Sequence, residues 1–289
     1  MRKVEGFNGY ELIDAVNGNR LERWGDIILI RPDPQIIWDG EKTDKRWNNA
    51  HAVYHRSNSG GGYWETLKKV PDVWSISFDD LLFRLKPMGF KHTGLFPEQA
   101  GNWQLASDLI KKANRPIKVL NLFAYTGAAT VACAKEGASV CHVDASKGIV
   151  ACAKENARLS GLAEAPIRYI VDDCFKFVER EIKRGKKYDG IIMDPPSYGR
   201  GPGGETWKLE ESIHSFIKLT ANILSDDPLF FIINSYTTGL SPKTVEYMLA
   251  SVLKGKYGGK AESGELGLPV ESSGLPLPCG AVVRWNFKA

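Results

Sequence analysis

Apolar and polar positions follow the most regular pattern in residues 118–144. The apolar run at residues 119–123 predicts a buried parallel strand. A turn of small residues at 126–129 leads into a helix predicted over residues 130–136, which ends at Gly137. A second apolar strand, residues 139–143, is followed directly by Asp144. The order of strand, turn, helix, strand and terminal acid predicts a βαβ unit.

The same alternation continues to the C-terminus. Strands are predicted at residues 167–171, 188–193 and 229–234, and a Gly- and Pro-rich tail finishes with a hairpin whose last strand is 281–287. Helices are predicted at residues 104–112, 146–160, 174–184, 207–224 and 241–253. This pattern predicts an α/β fold, in which a Rossmann-like sheet of seven strands has helices on both faces.

Residues 1–90 have a different pattern. Short β-type runs at residues 27–30, 36–38 and 52–55 are separated by Pro, Gly and Asn, and residues 39–40 resemble a hairpin turn. We expect a small, mostly antiparallel β domain at residues 1–90, with a possible role in substrate recognition and a mobile loop at 57–62. A second domain would then span residues 91–289. Five tryptophans favour core packing, and base stacking by one or two exposed rings is the alternative: Trp24, Trp38, Trp47, Trp64 and Trp74.

Residues 90–103, FKHTGLFPEQAGNW, combine many polar side chains with Phe96 and Trp103 just before a predicted helix. Polar groups at this density in a loop are typical of a binding surface. A capped turn that leads into the helix explains them equally well. The residues alone leave both interpretations open.

Composition narrows the class of protein only a little. The 289 residues are 43% hydrophobic and 25% charged with a net charge of +4, which permits a nucleic-acid partner without arguing for one. No apolar run is long enough for a membrane span or a signal peptide. The five cysteines form no C-x-x-C pair and no zinc spacing, so we expect free thiols, no metal site and a cytoplasmic location.

Acidic residues follow three of the predicted strands: Asp144, the pair Asp172 and Asp173, and Asp194. The carboxyl ends of parallel strands share one edge of the sheet, so these acids are expected to lie on the same rim. Only Gly127 is present in the first turn, where a pyrophosphate would need more glycine. A ligand with a ribose but no pyrophosphate, such as S-adenosylmethionine, fits better. An ordinary βαβ unit that binds no ligand is the alternative.

The fourth strand ends in Asp194-Pro195-Pro196. Two prolines fix φ and supply no N–H, so this segment predicts a rigid turn with free carbonyls. Such a carbonyl can accept a hydrogen bond from a base, and Tyr198 can stack on that base. A Gly-rich loop is predicted at residues 199–204.

Taken in order, the segments FKHTGLFPEQAGNW, NLFAYTG, VD, DD and DPPSY resemble the class I S-adenosylmethionine-dependent methyltransferases. Within that class they are similar to the ribosomal RNA large-subunit methyltransferases, whose members modify cytosine C5 or guanine N7 of 23S rRNA. The resemblance implies that S-adenosylmethionine is bound by Thr93, Gly94, Phe96, Gln99, Phe123, Tyr125, Thr126, Gly127, Asp144, Ala145, Asp172, Asp173, Cys174 and Asp194. It implies that four residues border the target and carry catalysis: Asp194, Pro195, Pro196 and Tyr198.

The chain departs from this group in two respects. The separate RNA-binding module that often precedes these enzymes is not expected here, and the cysteine for carbon chemistry is missing. Methylation at cytosine C5 needs a thiolate that attacks C6, yet neither the segment after the fourth strand nor the one after the fifth contains cysteine. A ring or exocyclic nitrogen needs only positioning and a proton acceptor. The expected function is therefore methylation of RNA, in particular ribosomal RNA, at a base nitrogen. A methyltransferase for a small molecule or protein, and a non-catalytic RNA-binding relative, are the alternatives.

Overall fold

The computed structural model describes residues 7–57, 61–200 and 206–287. The loops expected at residues 57–62 and 199–204 therefore lie partly outside the described residues. The chain forms two compact units, one from residues 101–266 with the segment from residue 280 onward, and one from the residues up to 100 with 267–279. The assignment of residues 1–90 as a separate domain for substrate recognition stays a prediction.

The smaller unit is built mainly from eight short strands, β1 to β8 in chain order. They are Phe7–Asn8, Tyr10–Val16, Asn19–Trp24, Ile27–Pro32, Ala52–Arg56, Gly62–Thr66, Trp74–Phe78 and Leu81–Leu85. Strands β2 to β6 form one sheet in chain order, and β1, β7 and β8 form another. Every pairing is antiparallel except that of β4 with β5. The expected small, mostly antiparallel β unit is confirmed.

The strand predicted at residues 36–38 and the hairpin turn at 39–40 are wrong. This segment has no strand partner; Ile36 is buried, Ile37 is 88% exposed, and the Trp38 indole N–H donates to the Ala15 carbonyl at 2.8 Å. The buried Ile36 side chain, the indole hydrogen bond and hydrogen bonds between Asn17 and residues 38 and 40 hold the segment in place without a strand ladder. Of the five tryptophans, Trp24 and Trp47 are core residues, as expected, whereas Trp38 is half-exposed.

Among the described residues, the larger unit contains six helices and most of the remaining strands, and residues 267–279 of the last two strands are assigned to the smaller unit. Helices α1 to α6 are Ala100–Ala113, Ala128–Lys135, Lys147–Leu159, Cys174–Lys183, Leu209–Ala221 and Pro242–Tyr257. Strands β9 to β17 are Lys118–Leu122, Ser139–Asp144, Ile167–Val171, Gly190–Met193, Tyr198–Arg200, Thr206–Lys208, Phe230–Ser235, Lys260–Pro269 and Pro276–Asn286. Two short 3-10 helices, Lys45–Asn49 and Pro97–Gln99, lie earlier in the chain.

Seven of these strands form one sheet in the order β11-β10-β9-β12-β15-β17-β16. The first five are parallel and β17 is antiparallel to β15, as expected for a doubly wound sheet with a C-terminal hairpin. Helices α4, α5 and α6 bury apolar side chains against one face, where Leu120 and Leu122 of β9 point. The alternate residue Asn121 points to the other face, where it contacts Thr130 of α2. The predicted α/β fold is confirmed.

Local signals explain the starts of three of the six helices named above. The side chains of Ser146, Asp173 and Ser241 accept hydrogen bonds from backbone N–H groups in the first turns of α3, α4 and α6. The helix predicted from residue 207 begins instead at Leu209. The reason is tertiary pairing, since β14 forms a two-stranded ribbon with β13.

Candidate active site

The strand order of the large sheet reverses between the neighbouring strands β9 and β12. From β9 the chain adds β10 and β11 on one side, and from β12 it adds β15 on the other side. In open α/β sheets a ligand binds outside the carboxyl ends of the strands at such a reversal. The segments that follow β9, β10, β11 and β12 all lie on this edge. They contain most of the residues expected to bind a ligand.

The turn after β9 is unusually tight. Phe123 and Tyr125 have φ of 53° and 49°, which few non-glycine residues adopt, and Gly127 has φ of 82°. A Cβ at Gly127 would lie 2.8 Å from the Ala153 Cβ on α3, so only glycine fits. The turn therefore brings its backbone close against α3, and its backbone lies at the start of α2, where an anionic or polar ligand is commonly bound.

Asp144 ends β10 and braces this turn. Its carboxylate accepts hydrogen bonds from the Tyr125 N–H at 3.0 Å and from the Ser146 N–H at 2.9 Å. Burial raises the pKa of the carboxyl, and the two N–H groups act in the opposite direction. A carboxylate has about four lone-pair sites, so the Asp144 carboxylate can accept further hydrogen bonds, and its role in binding a ribose stays a prediction. Ala145 is exposed beside it.

The two acids after β11 have different roles. Asp172 forms an ion pair with Arg180, whereas the Asp173 carboxylate accepts the Lys176 N–H at 2.9 Å and caps α4. Cys174 is buried, and its sulfur accepts the Phe123 N–H at 3.4 Å. Burial raises the pKa of the Cys174 thiol, so this residue packs as a neutral group and links the β11 edge to the turn after β9.

The turn after β12 is held at several points. The Asp194 N–H donates to the Leu122 carbonyl at 3.3 Å, which fixes this acid beside the end of β9. The expectation of free carbonyls is wrong for Pro196, because its carbonyl accepts the Trp207 indole N–H at 2.5 Å. Pro195 is buried, and the Tyr198 side chain is 52% exposed. The turn is held by these hydrogen bonds and presents the Tyr198 ring to solvent, and its rigidity stays a prediction.

Sequence reasoning missed an aromatic cluster on this edge. Phe123, Phe175, Trp207 and Phe216 lie with ring centroids 4.2–6.0 Å apart. It also missed Asn156, whose side-chain amide donates to the Thr126 carbonyl from α3. A buried asparagine within an otherwise amphipathic helix was the one available signal for the second feature.

Four predicted cofactor residues belong to the smaller unit: Thr93, Gly94, Phe96 and Gln99. Thr93 is fully buried and its hydroxyl has no hydrogen-bond partner in the described part of the chain. Gly94 has φ of 110°, and the 3-10 helix Pro97–Gln99 leads directly into α1. The role of these residues over a cofactor stays a prediction.

The cysteines are free thiols in mostly buried surroundings. All five are free, and four are buried. Burial raises the pKa of Cys133 to about 12, of Cys141 to about 11 and of Cys279 to about 12. A thiol with a raised pKa carries little thiolate at neutral pH, which is the reactive form.

Among residues 7–57, 61–200 and 206–287, no three His, Cys, Asp or Glu side chains are grouped so as to hold a metal ion. Within the same ranges, no helix has the length and hydrophobicity needed to cross a membrane.

The site suits a ribose-containing ligand without a pyrophosphate. It combines the tight turn at Gly127, the Asp144 carboxylate, which can accept further hydrogen bonds, and the aromatic cluster at the point where the strand order reverses. Fold and site together define a class I S-adenosylmethionine-dependent methyltransferase fold. The chain belongs to the S-adenosylmethionine-dependent methyltransferase family, whose model matches residues 48–230. S-adenosylmethionine is the cofactor of this family, and the residues present fit it.

Three similar proteins illustrate the relationship. A crystal structure of a SAM-dependent methyltransferase from Agrobacterium tumefaciens has a TM-score of 0.92 and 36% identity, covering 98% of this chain and 92% of that one. Ribosomal RNA large subunit methyltransferase I of Shewanella denitrificans is 26% identical over 68% of this chain and 53% of its own length. Ribosomal RNA large subunit methyltransferase K/L of Shewanella frigidimarina is 36% identical over 47% of this chain and 19% of its own length. The matched parts thus span at most about half of these curated relatives.

Proposed function

We propose that this protein methylates RNA, in particular large-subunit ribosomal RNA, at a base nitrogen. The observation that carries the proposal is the Asp194–Tyr198 turn, fixed beside the end of β9 at the edge where Asp144 braces the glycine turn. Such a turn suits a flat base better than a flexible chain, because it offers a carboxylate and an exposed ring. The names of the curated relatives support ribosomal RNA as the substrate class, and a cytoplasmic location is proposed with it.

Each group has a specific task in this proposal. Asp144 accepts hydrogen bonds from the ribose hydroxyls, with Ala145 beside it. The turn Phe123–Gly127 borders the methionine moiety, and Asp173 lies by the adenine with Cys174 packed beneath it. Asp172 has a supporting role through Arg180. The cofactor, when bound, supplies an electrophilic methyl group on a sulfonium.

The residues at the turn act on the acceptor nitrogen. Asp194 accepts a hydrogen bond from the target nitrogen or an adjacent N–H and holds its lone pair in line with the methyl carbon. The bound cofactor would supply the methyl group and would keep the electron pair of the broken S–C bond on its sulfur as the N–C bond formed. When the acceptor is an exocyclic amine, the proton it loses passes to Asp194 or to water. Tyr198 stacks on the base, and Pro195 and Pro196 keep both groups in place.

Nitrogen is preferred over carbon because no nucleophile is suitably placed. The C5 reaction needs a thiolate. The segments after β12 and β15 contain no cysteine, and the buried Cys279 thiol, with its pKa raised to about 12, contacts Arg20 in the smaller unit. The smaller unit is proposed to recognise the RNA around the target.

Labelled S-adenosylmethionine incubated with rRNA, bulk protein and metabolite fractions from cells that lack the gene tests the proposal. We expect label in rRNA, and mass spectrometry of the digested rRNA should place the new methyl group on a base nitrogen. Asp194→Ala should abolish the transfer, whereas Asp226→Ala, on the exposed loop after α5, should not. Label on carbon C5 would refute nitrogen chemistry, and label only in protein or metabolites would refute the RNA substrate.

A further inference from the structure

Trp207 contacts both the turn after β9 and the proline turn after β12. The proposed reaction needs a fixed distance between these two turns. The tryptophan lies on β14, which pairs with β13 so that Trp207 is opposite Gly199, and it is half-buried. Its indole N–H donates to the Pro196 carbonyl at 2.5 Å. Pro195 and Pro196 have no N–H group, so they cannot donate hydrogen bonds that would hold the turn. The indole N–H of Trp207 instead fixes the direction of the Pro196 carbonyl.

The other side of the Trp207 ring belongs to the aromatic cluster. Its centroid lies 5.7 Å from that of Phe123 and 5.5 Å from that of Phe175. Phe123 is the first residue of the turn after β9 and has a left-handed φ of 53°, so its position depends on the groups that pack against it. One side chain therefore contacts both the turn after β9 and the proline turn after β12.

Two further contacts hold the proline turn alongside Trp207. The Ser197 carbonyl accepts the Leu209 N–H at 3.0 Å, and the Ser197 hydroxyl accepts the Thr237 hydroxyl at 2.8 Å. Loss of the indole N–H alone should therefore leave the turn folded. It should change the direction of the Pro196 carbonyl and the accuracy with which Asp194 and Tyr198 are presented.

We propose that Trp207 is a positioning residue for methyl transfer. Its indole N–H orients the proline turn that receives the target base, and its ring keeps that turn at a fixed spacing from the cofactor-binding turn through Phe123. This inference rests on the proposed methyltransferase function. The two parts of the side chain have different effects. The indole N–H acts only on the proline turn that receives the target base, whereas the ring contacts both that turn and the cofactor-binding turn.

Two substitutions separate these effects. Trp207→Phe keeps an aromatic ring and removes the N–H, so kcat should fall about five- to tenfold, the effect of one hydrogen bond. KM for RNA and the dissociation constant of S-adenosylhomocysteine should stay within twofold of wild type. Trp207→Leu removes the ring as well and should also weaken S-adenosylhomocysteine binding.

Trp285→Phe is the matched control. Trp285 is a buried tryptophan of the same unit whose indole N–H has no hydrogen-bond partner in the described part of the chain. Its replacement removes the same atoms without removing a hydrogen bond, so kcat should not change. A loss of kcat in Trp285→Phe equal to that in Trp207→Phe would overturn the proposal, as would an unchanged kcat in Trp207→Phe.

Hydrogen–deuterium exchange gives a readout that does not need turnover. In Trp207→Phe the amides of Asp194 and Leu209, which flank the proline turn, should exchange faster than in wild type, and in Trp285→Phe they should not. Equal exchange in all three proteins would contradict the positioning role. An absence of methyl transfer by wild type with the expected exchange difference would refute the proposed function and leave the Trp207 contact established.

Discussion

The side-chain amide nitrogen of Asn156 lies 2.9 Å from the carbonyl oxygen of Thr126. Asn156 is fully buried on α3, and Thr126 is the residue before the cramped Gly127. The hydrogen bond thus ties the peptide of the glycine turn to helix α3. It explains how a turn with two left-handed non-glycine residues keeps one conformation.

Replacing Asn156 by alanine should weaken the binding of S-adenosylhomocysteine about tenfold. The Thr126 carbonyl would be left buried without this donor, which also costs about 1–3 kcal/mol of stability. Isothermal titration calorimetry and urea unfolding measure the two effects. Asn222→Ala is the control, because Asn222 is exposed and donates to the Lys218 carbonyl within its own helix at 2.9 Å. Equal affinity of both variants for S-adenosylhomocysteine would show that the Asn156 hydrogen bond does not support cofactor binding.

Gly127→Ala should abolish measurable S-adenosylhomocysteine binding. The new methyl group would lie 2.8 Å from the Ala153 Cβ at a φ of +82°, so the turn has to move. Gly148→Ala, on the neighbouring helix α3, has no atom within 4 Å of the new Cβ and should leave binding unchanged. Calorimetry on the two variants checks the pair. Normal binding by Gly127→Ala would show that the turn does not border the ligand.

His142 should make the larger unit less stable as the pH falls. It is fully buried on β10, its Nδ1 lies 2.9 Å from the Thr130 hydroxyl, and burial lowers its pKa to about 4. The unfolded chain, with a histidine pKa of about 6.5, takes up a proton first. The stabilising contribution is therefore present above pH 6.5 and is lost as the pH falls toward 4, which amounts to about 2 kcal/mol between pH 7 and pH 5.

Urea unfolding at pH 7, 6 and 5 measures this dependence. His142→Asn should lose about 2 kcal/mol less than wild type over that range. Thr130→Val, which removes the hydroxyl partner but keeps the imidazole, should retain the pH dependence. Identical pH profiles for wild type and His142→Asn would show that another group controls the acid sensitivity.

The sequence predicted the sheet because its signals are local. Apolar runs mark the buried strands, and Ser146, Asp173 and Ser241 mark helix starts by side chains that cap within three residues. Residues 36–38 have the same apolar composition but no partner strand, so composition alone was misleading there. Strand pairing is a long-range property, and a run of three residues does not encode it.

Only the site residues at the ends of strands could be predicted from the sequence. The acids Asp144, Asp172 and Asp194 follow strands, so their common edge follows from topology. The Trp207 contacts could not be predicted, because they join residues that are distant in sequence and because β14 displaces the expected start of a helix. The same holds for the bond from Asn156 to Thr126, which connects residues 30 positions apart.

Asp144 gives the most direct test of the account. Calorimetry with S-adenosylhomocysteine should show saturable binding to wild type. Two ribose hydrogen bonds to a charged group correspond to a loss of affinity on the order of hundredfold in Asp144→Ala, and Asp226→Ala, an exposed acid of the same unit, should bind as wild type does. No binding by wild type, or equal affinity in Asp144→Ala and wild type, would contradict the central claim that this edge of the sheet holds the cofactor.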